Sequence, residues 1–148
     1  MKLNIRDVLN HLLVDMFNQI LSLEENFMKD KGIPLSMSEI HTLEAIERSL
    51  GKTMGEVAKQ LRITQGTLTV NINRLTNKGY VYRVQDEVDR RIYRLKLTEK
   101  AVQILSVHEI FHEELIDQLV SQLSSEEKDL LVDSLSQVNT YFDTLMKK

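Results

Sequence analysis

Two groups of side chains in this 148-residue sequence have the chemistry to hold a ligand. The first is rich in donors: the amides and arginine of "TQGTLTVNINRLTNKG" (64–79) and the arginines of "DEVDRRIYRLKLT" (86–98). Guanidinium and amide groups suit phosphate oxygens and the edges of bases. The second joins imidazole to carboxylate: His41, His108 and His112, with Glu24 or Glu25. Three imidazoles and one carboxylate would suit Zn²⁺ or a similar ion. Catalysis has little to work with. No nucleophile stands beside a base, and no glycine-rich loop could cradle a phosphate. His108 with Glu109 or Glu113 is the one conceivable acid–base set, so the sequence is not read as an enzyme and requires no cofactor.

Charge is unevenly spread. The whole chain carries a formal −3. From Thr53 to Leu97, however, nine cations meet only four acids, a net of +5, which leaves −8 for the remainder. That asymmetry is the footprint of a surface facing an anionic partner, hidden in the overall balance. Zero cysteines exclude disulfides, thiolate zinc sites and cysteine redox sensing. No apolar run approaches the ~20 residues needed to span a bilayer. The N-terminus has no signal-peptide pattern, so a cytoplasmic location is expected.

The elements that must position these groups are mostly helical, as one proline and five glycines suggest. Ile5, Leu9, Leu12, Met16, Ile20, Leu23 and Phe27 recur at helical spacing over 5–29, and "KDKGIP" (29–34) ends that helix. Ser36 or Ser38 can cap a second helix with Ile40, Leu43, Ile46 and Leu50 inward, closed by Gly51. Thr53 with Glu56 reads as a capping box for a helix through Leu61, and Thr64 caps another ending at Lys78-Gly79. "YVYRV" (80–84) and "IYRLKL" (92–97) read as strands. Thr98 caps a helix to about Leu123, and Ser124 with Glu127 opens a last one to about Met146. The predicted order is α-α-α-α-β-β-α-α, mainly helical with one small β-hairpin.

Helices 54–61 and 65–78, joined by "RIT", have the spacing of a helix-turn-helix. Leu68, Ile72 and Leu75 define the buried arc of the second helix. Its first turn (Thr64, Gln65) and its outer arc (Gly66, Thr67, Val70, Asn73, Arg74, Asn77) contain no carboxylate. A merely solvated face would alternate Glu with Lys; this one fits a recognition helix in a major groove. A hairpin directly after such a helix is a wing. Arg90 and Arg91 at its tip suit the negative potential of a minor groove, with Asp86 and Asp89 pairing internally to hold the loop. A helical interaction module that ignores DNA is the remaining rival, and it has no use for such a face.

These residues resemble the MarR family of winged-helix regulators. "DRRIYRLKLT" fits its D-x-R-x-x-x-x-x-L-T signature through Asp89, Arg91, Leu97 and Thr98, and "NRLTNKGYVYRVQDEVDRR" is similar to its recognition-helix end and wing. Two positions depart from the pattern: Ala101 stands where a glycine is common, and Thr76 where an acid is frequent. The resemblance implies an obligate homodimer through the helices at 5–29, 98–123 and 124–146, binding an inverted repeat, probed in the minor groove by Arg91 and braced by Asp89. It implies residues 1–35 and 99–148 as a helical dimerisation domain and 36–98 as the DNA-binding domain. The terminal helices support dimerisation independently, being apolar on more than one side. "SEIHTLEAI", "ITQGTLTVNINRL" and "VHEIFHEEL" look like the FabT-like branch, repressors of fatty-acid synthesis genes that take acyl-acyl-carrier-protein as corepressor. A zinc-responsive branch resembles the set Glu24, His41, His108 and His112, although it also uses a cysteine. The alternative for the histidines is a hydrogen-bond network between the dimer helices and the DNA-binding lobe.

Overall fold

The structure is a computed structural model that describes residues 3–147. Its first helical stretch is interrupted. α1 (Ile5–His11) runs through a π-helical turn at Leu12–Met16 into α2 (Phe17–Asp30). There follow α3 (Met37–Arg48), α4 (Met54–Leu61), α5 (Gln65–Asn77), β1 (Val81–Gln85), β2 (Tyr93–Leu97), α6 (Glu99–Ser121) and α7 (Ser125–Met146). Mainly helical, with one antiparallel hairpin, this is the expected architecture.

Local chemistry sets most boundaries. Ser36 is the residue that caps α3, and its reciprocal box with Glu39 satisfies two otherwise unpaired N–H groups. Thr64 accepts from the Thr67 amide to start α5. Gly79, at φ +80°, turns the chain out of α5 at no steric cost. Ser124 and Glu127 form the expected box at α7. Thr98 ties the hairpin to α6: its hydroxyl donates to the Gly79 and Tyr80 carbonyls and accepts from the Ala101 amide.

Three expectations around residue 50 are corrected. Leu50 does not point inward; it is fully exposed, because α3 already ends at Arg48 and the chain is extended at Ser49. Gly51 does not close the helix with a left-handed turn. The left-handed residue is Lys52, whose ammonium caps the Ile46 and Glu47 carbonyls at 3.0 and 3.2 Å. A Cβ at Gly51 would meet the far end of the Glu56 side chain at 2.3 Å, so glycine leaves that carboxylate room where it stands. That carboxylate has turned to the Ser49 hydroxyl, so the Thr53–Glu56 pair caps α4 one way only.

The chain forms two compact units that divide between Glu109 and Ile110. In the first, Ile40, Leu43, Ile46, Val57, Leu68, Ile72, Leu75 and Leu95 are completely buried. Each stabilises the fold by about 1.5–3 kcal/mol relative to exposure. Met28 from α2 and Ala101, Ile104 and Leu105 from α6 join the same core. The end of α2 and the start of α6 are thus seated on the winged helix. Ala101 is wholly buried, so its methyl group finds room. In the second unit no residue of α7 is buried, and Leu130, Val132, Tyr141 and Met146 stand more than half exposed. No described helix is long and apolar enough to cross a membrane.

Candidate nucleic-acid interface

α4 and α5 are joined by Arg62-Ile63-Thr64, with Arg62 left-handed at φ 57°. The Ile63 amide donates back to the Ala58 carbonyl at 3.1 Å, which satisfies the end of α4 and seats Ile63 against the core. From this turn α5 emerges with Leu68, Ile72 and Leu75 buried. Gln65, Gly66, Thr67, Val70, Asn73, Arg74 and Asn77 are all exposed, as the spacing requires, and Thr64 is exposed at the cap. No acid lies on this helix.

The far end of α5 is clamped. Lys78 donates to the Glu39 carboxylate at 2.6 Å, and the same carboxylate accepts from the Ser36 amide at 3.0 Å. Burial alone would push the Glu39 carboxyl up; the Lys78 hydrogen bond, the Ser36 amide and the lysine charge outweigh it and hold it below the usual range.

The hairpin is registered Val81 to Leu97, Arg83 to Leu95 and Gln85 to Tyr93. Both predicted acids pair within it. Asp86 accepts from the Asp89 and Val88 amides and from Arg94 Nε at 3.0 Å. The Asp89 amide first, and then Arg94, hold the Asp86 carboxyl below its ordinary range. Asp89 takes Arg91 in a fork, Nε at 3.0 Å and Nη2 at 2.9 Å, which depresses the Asp89 carboxyl and raises the Arg91 guanidinium. Arg91 nevertheless remains exposed, and Arg90 is exposed beside it. An open groove of about 460 Å³ brings Arg83 and Arg91 beside Thr53, Met54 and Gly55 at the start of α4, where unpaired helix N–H groups add positive potential.

Three residues outside the sequence reading prove to be structural partners. Arg94 reaches out of the hairpin to the Gly51 carbonyl at 2.6 Å, fastening the wing to the α3–α4 connection. Arg83 donates to Asn73 Oδ1 at 3.2 Å. Glu44 lies 3.6 Å from His108 Nδ1. Strand alternation carries the signal for Arg83, which shares a face with buried Val81.

Of the four predicted metal-type residues, three converge. Ligand atoms of Glu24, His41 and His108 all lie within 4.8 Å of one another. The ring of His112, in the second unit, meets Phe111 edge-on at 5.3 Å. Glu24 is buried on α2 and hydrogen-bonds the buried His108, with His41 Nε2 at 3.5 Å. Burial would raise the Glu24 carboxyl, yet the His108 hydrogen bond and the attraction of both imidazoles leave it lowered.

The fold and this surface have relatives. A family model described as "MarR family" matches residues 31–92. Streptococcus pneumoniae FabT, crystallised in complex with DNA, is 32% identical; the match covers 95% of this chain and 99% of that one with a TM-score of 0.85. The S. aureus MepR–DNA complex shares the fold at 21% identity, covering 95% and 99% of the two chains with a TM-score of 0.72. The HTH-type transcriptional regulator SarZ of Staphylococcus haemolyticus is 28% identical over 104 residues, 70% of this chain and 69% of that protein. With its helix-turn-helix, its braced arginine wing and these relatives, the chain belongs to the MarR family of winged-helix transcriptional regulators.

Proposed function

We propose that this protein is a homodimeric repressor that binds an inverted repeat, with α5 in the major groove and the 85–91 wing in the adjacent minor groove. One observation carries the reading: an exposed, carboxylate-free face of α5 stands beside an arginine hairpin whose acids are all but one consumed internally. The exception is Glu87. The contacts assigned to DNA are Thr64, Gln65, Gly66, Thr67, Val70, Asn73, Arg74, Asn77, Arg90 and Arg91. The exposed apolar side chains of α7 support a partner subunit, since a soluble surface rarely leaves so many uncovered.

Similarity to FabT over nearly the whole chain supports a regulon of fatty-acid synthesis genes, with an acyl-acyl-carrier-protein as corepressor. The test is a gel-shift titration on candidate inverted repeats at several salt concentrations, with and without an acyl-carrier-protein thioester. Affinity falls steeply with salt for a protein that neutralises phosphates. The thioester tightens binding on this reading; no response to it leaves a MarR-type repressor with another effector.

A second reading is favoured by the convergence of Glu24, His41 and His108. One carboxylate and two imidazoles fit Zn²⁺ chemically, and His112 is the fourth residue that the resemblance assigns to such a site. A bound ion would draw α2, α3 and α6 together. Elemental analysis of purified protein and of His108→Ala decides it; no metal in either leaves the cluster as a hydrogen-bond network.

A further inference from the structure

Asn73 sits in the middle of the exposed face of α5, and its amide orientation is fixed from outside the helix. Arg83 lies on β1 opposite Leu95, which is completely buried, and two residues from buried Val81. Strand alternation thus places Arg83 on the hairpin face that carries Val81, from which its exposed side chain reaches α5. Its Nη2 donates to Asn73 Oδ1 at 3.2 Å. The carbonyl side of the amide is thereby turned toward the hairpin, and Nδ2 is turned away with no hydrogen bond among the described residues.

An asparagine reads adenine by using both ends of its amide, accepting from N6 and donating to N7. Here the guanidinium takes one of the two Oδ1 lone pairs. What the pair then presents outward is chiefly donors: the two Nδ2 hydrogens and the remaining N–H groups of Arg83. Adenine offers one acceptor and one donor in the major groove, so its amino group would face another donor. Guanine offers two adjacent acceptors, N7 and O6.

We infer that Arg83 is a specificity-determining residue: with Asn73 it forms a donor-rich reading head that selects guanine over adenine at one position in each half-site. The inference rests on the proposed role of α5 in the major groove. No residue in the pair is charged against it, and the exposure of both leaves the head open to a base edge.

The experiment is selection of bound duplexes from a randomised pool, followed by competition titrations with the wild type, Asn73→Ala, Arg83→Ala and Arg83→Lys. The position whose preference Asn73→Ala erases is the one Asn73 reads. The wild type selects guanine there, on the order of tenfold over adenine, the discrimination usual for a bidentate contact. Arg83→Ala releases Oδ1 and moves that position toward adenine while the other positions hold. Arg83→Lys keeps a donor and keeps guanine. Adenine selected by the wild type, or a uniform loss of affinity in Arg83→Ala without a change in ratio, overturns the inference but leaves the regulator intact. A wild type that enriches no sequence at all removes the major-groove reading and this inference with it. Circular dichroism of each variant confirms that the exposed substitutions leave the helices in place.

Discussion

Replacing Glu39 by alanine tests how firmly the recognition helix is anchored. Its carboxylate performs two tasks, accepting from the Ser36 amide at 3.0 Å and from Lys78 at 2.6 Å. The Ser36 hydroxyl still caps the residue 39 amide in the variant, so only the return half of the box is lost, about 1 kcal/mol for a half-buried charge-assisted bond. The lysine is itself partly exposed, which limits the ion pair to about 0.2–1 kcal/mol. Alanine's better helix propensity returns a few tenths of a kcal/mol. The net loss is about 1–1.5 kcal/mol at pH 7, a fall in Tm of roughly 3–5 °C for a chain of this size. Urea midpoints measured at one protein concentration give the comparison, because association makes them concentration-dependent. The sign with pH follows from the lowered carboxyl. Its contribution is complete above the ordinary glutamate value near 4.3 and is lost as pH falls through the depressed one. The two proteins should therefore converge in acid. Equal stability at pH 7, or a gap that persists undiminished at pH 2, would refute the reasoning.

Arg91→Ala should weaken binding to every operator and lower the salt slope by about one per wing engaged, while sedimentation still reports the same oligomer. Asp89→Asn, which loosens the fork but keeps the cation, should cost less affinity in the same titration. Leu50→Ser should leave the urea midpoint within about 0.5 kcal/mol of wild type, as befits a fully exposed side chain. Ile72→Ala, by contrast, should lose about 2–5 kcal/mol from the wholly buried face of α5, and equal effects from these two would contradict the assigned burial.

The parts of this molecule that follow from local periodicity were legible before any coordinates. Leu68, Ile72 and Leu75 had to be inward because helical geometry permits no other face, and that placed Asn73 and Arg74 outside. Hairpin and caps followed from equally short-range chemistry. Residue 50 shows the limit. Periodicity continued through Leu50, but the lysine at 52 took the left-handed conformation and capped α3 with its own ammonium, so the helix stopped two residues earlier. The partnerships of Arg83 with Asn73 and of Arg94 with Gly51 span ten and forty-three residues. Nothing in spacing alone selects such pairs. His108 met Glu24 across eighty-four residues, because that convergence depends on how three helices cross.

The π-helical turn at Leu12–Met16 has a consequence for how this chain tolerates change. It accommodates one residue more than a regular turn, so deleting a single residue there would restore an ordinary helix rather than break it. Because the wide turn absorbs the rotation of its extra residue, everything ahead of the deletion would keep its face. Ile5, Val8 and Leu9, now exposed, would stay in line with the apolar side chains that follow. The same one-residue gap in a regular stretch of α2 would instead turn everything ahead of it by about 100°, so the wide turn is where this helix can lose a residue and keep its apolar stripe.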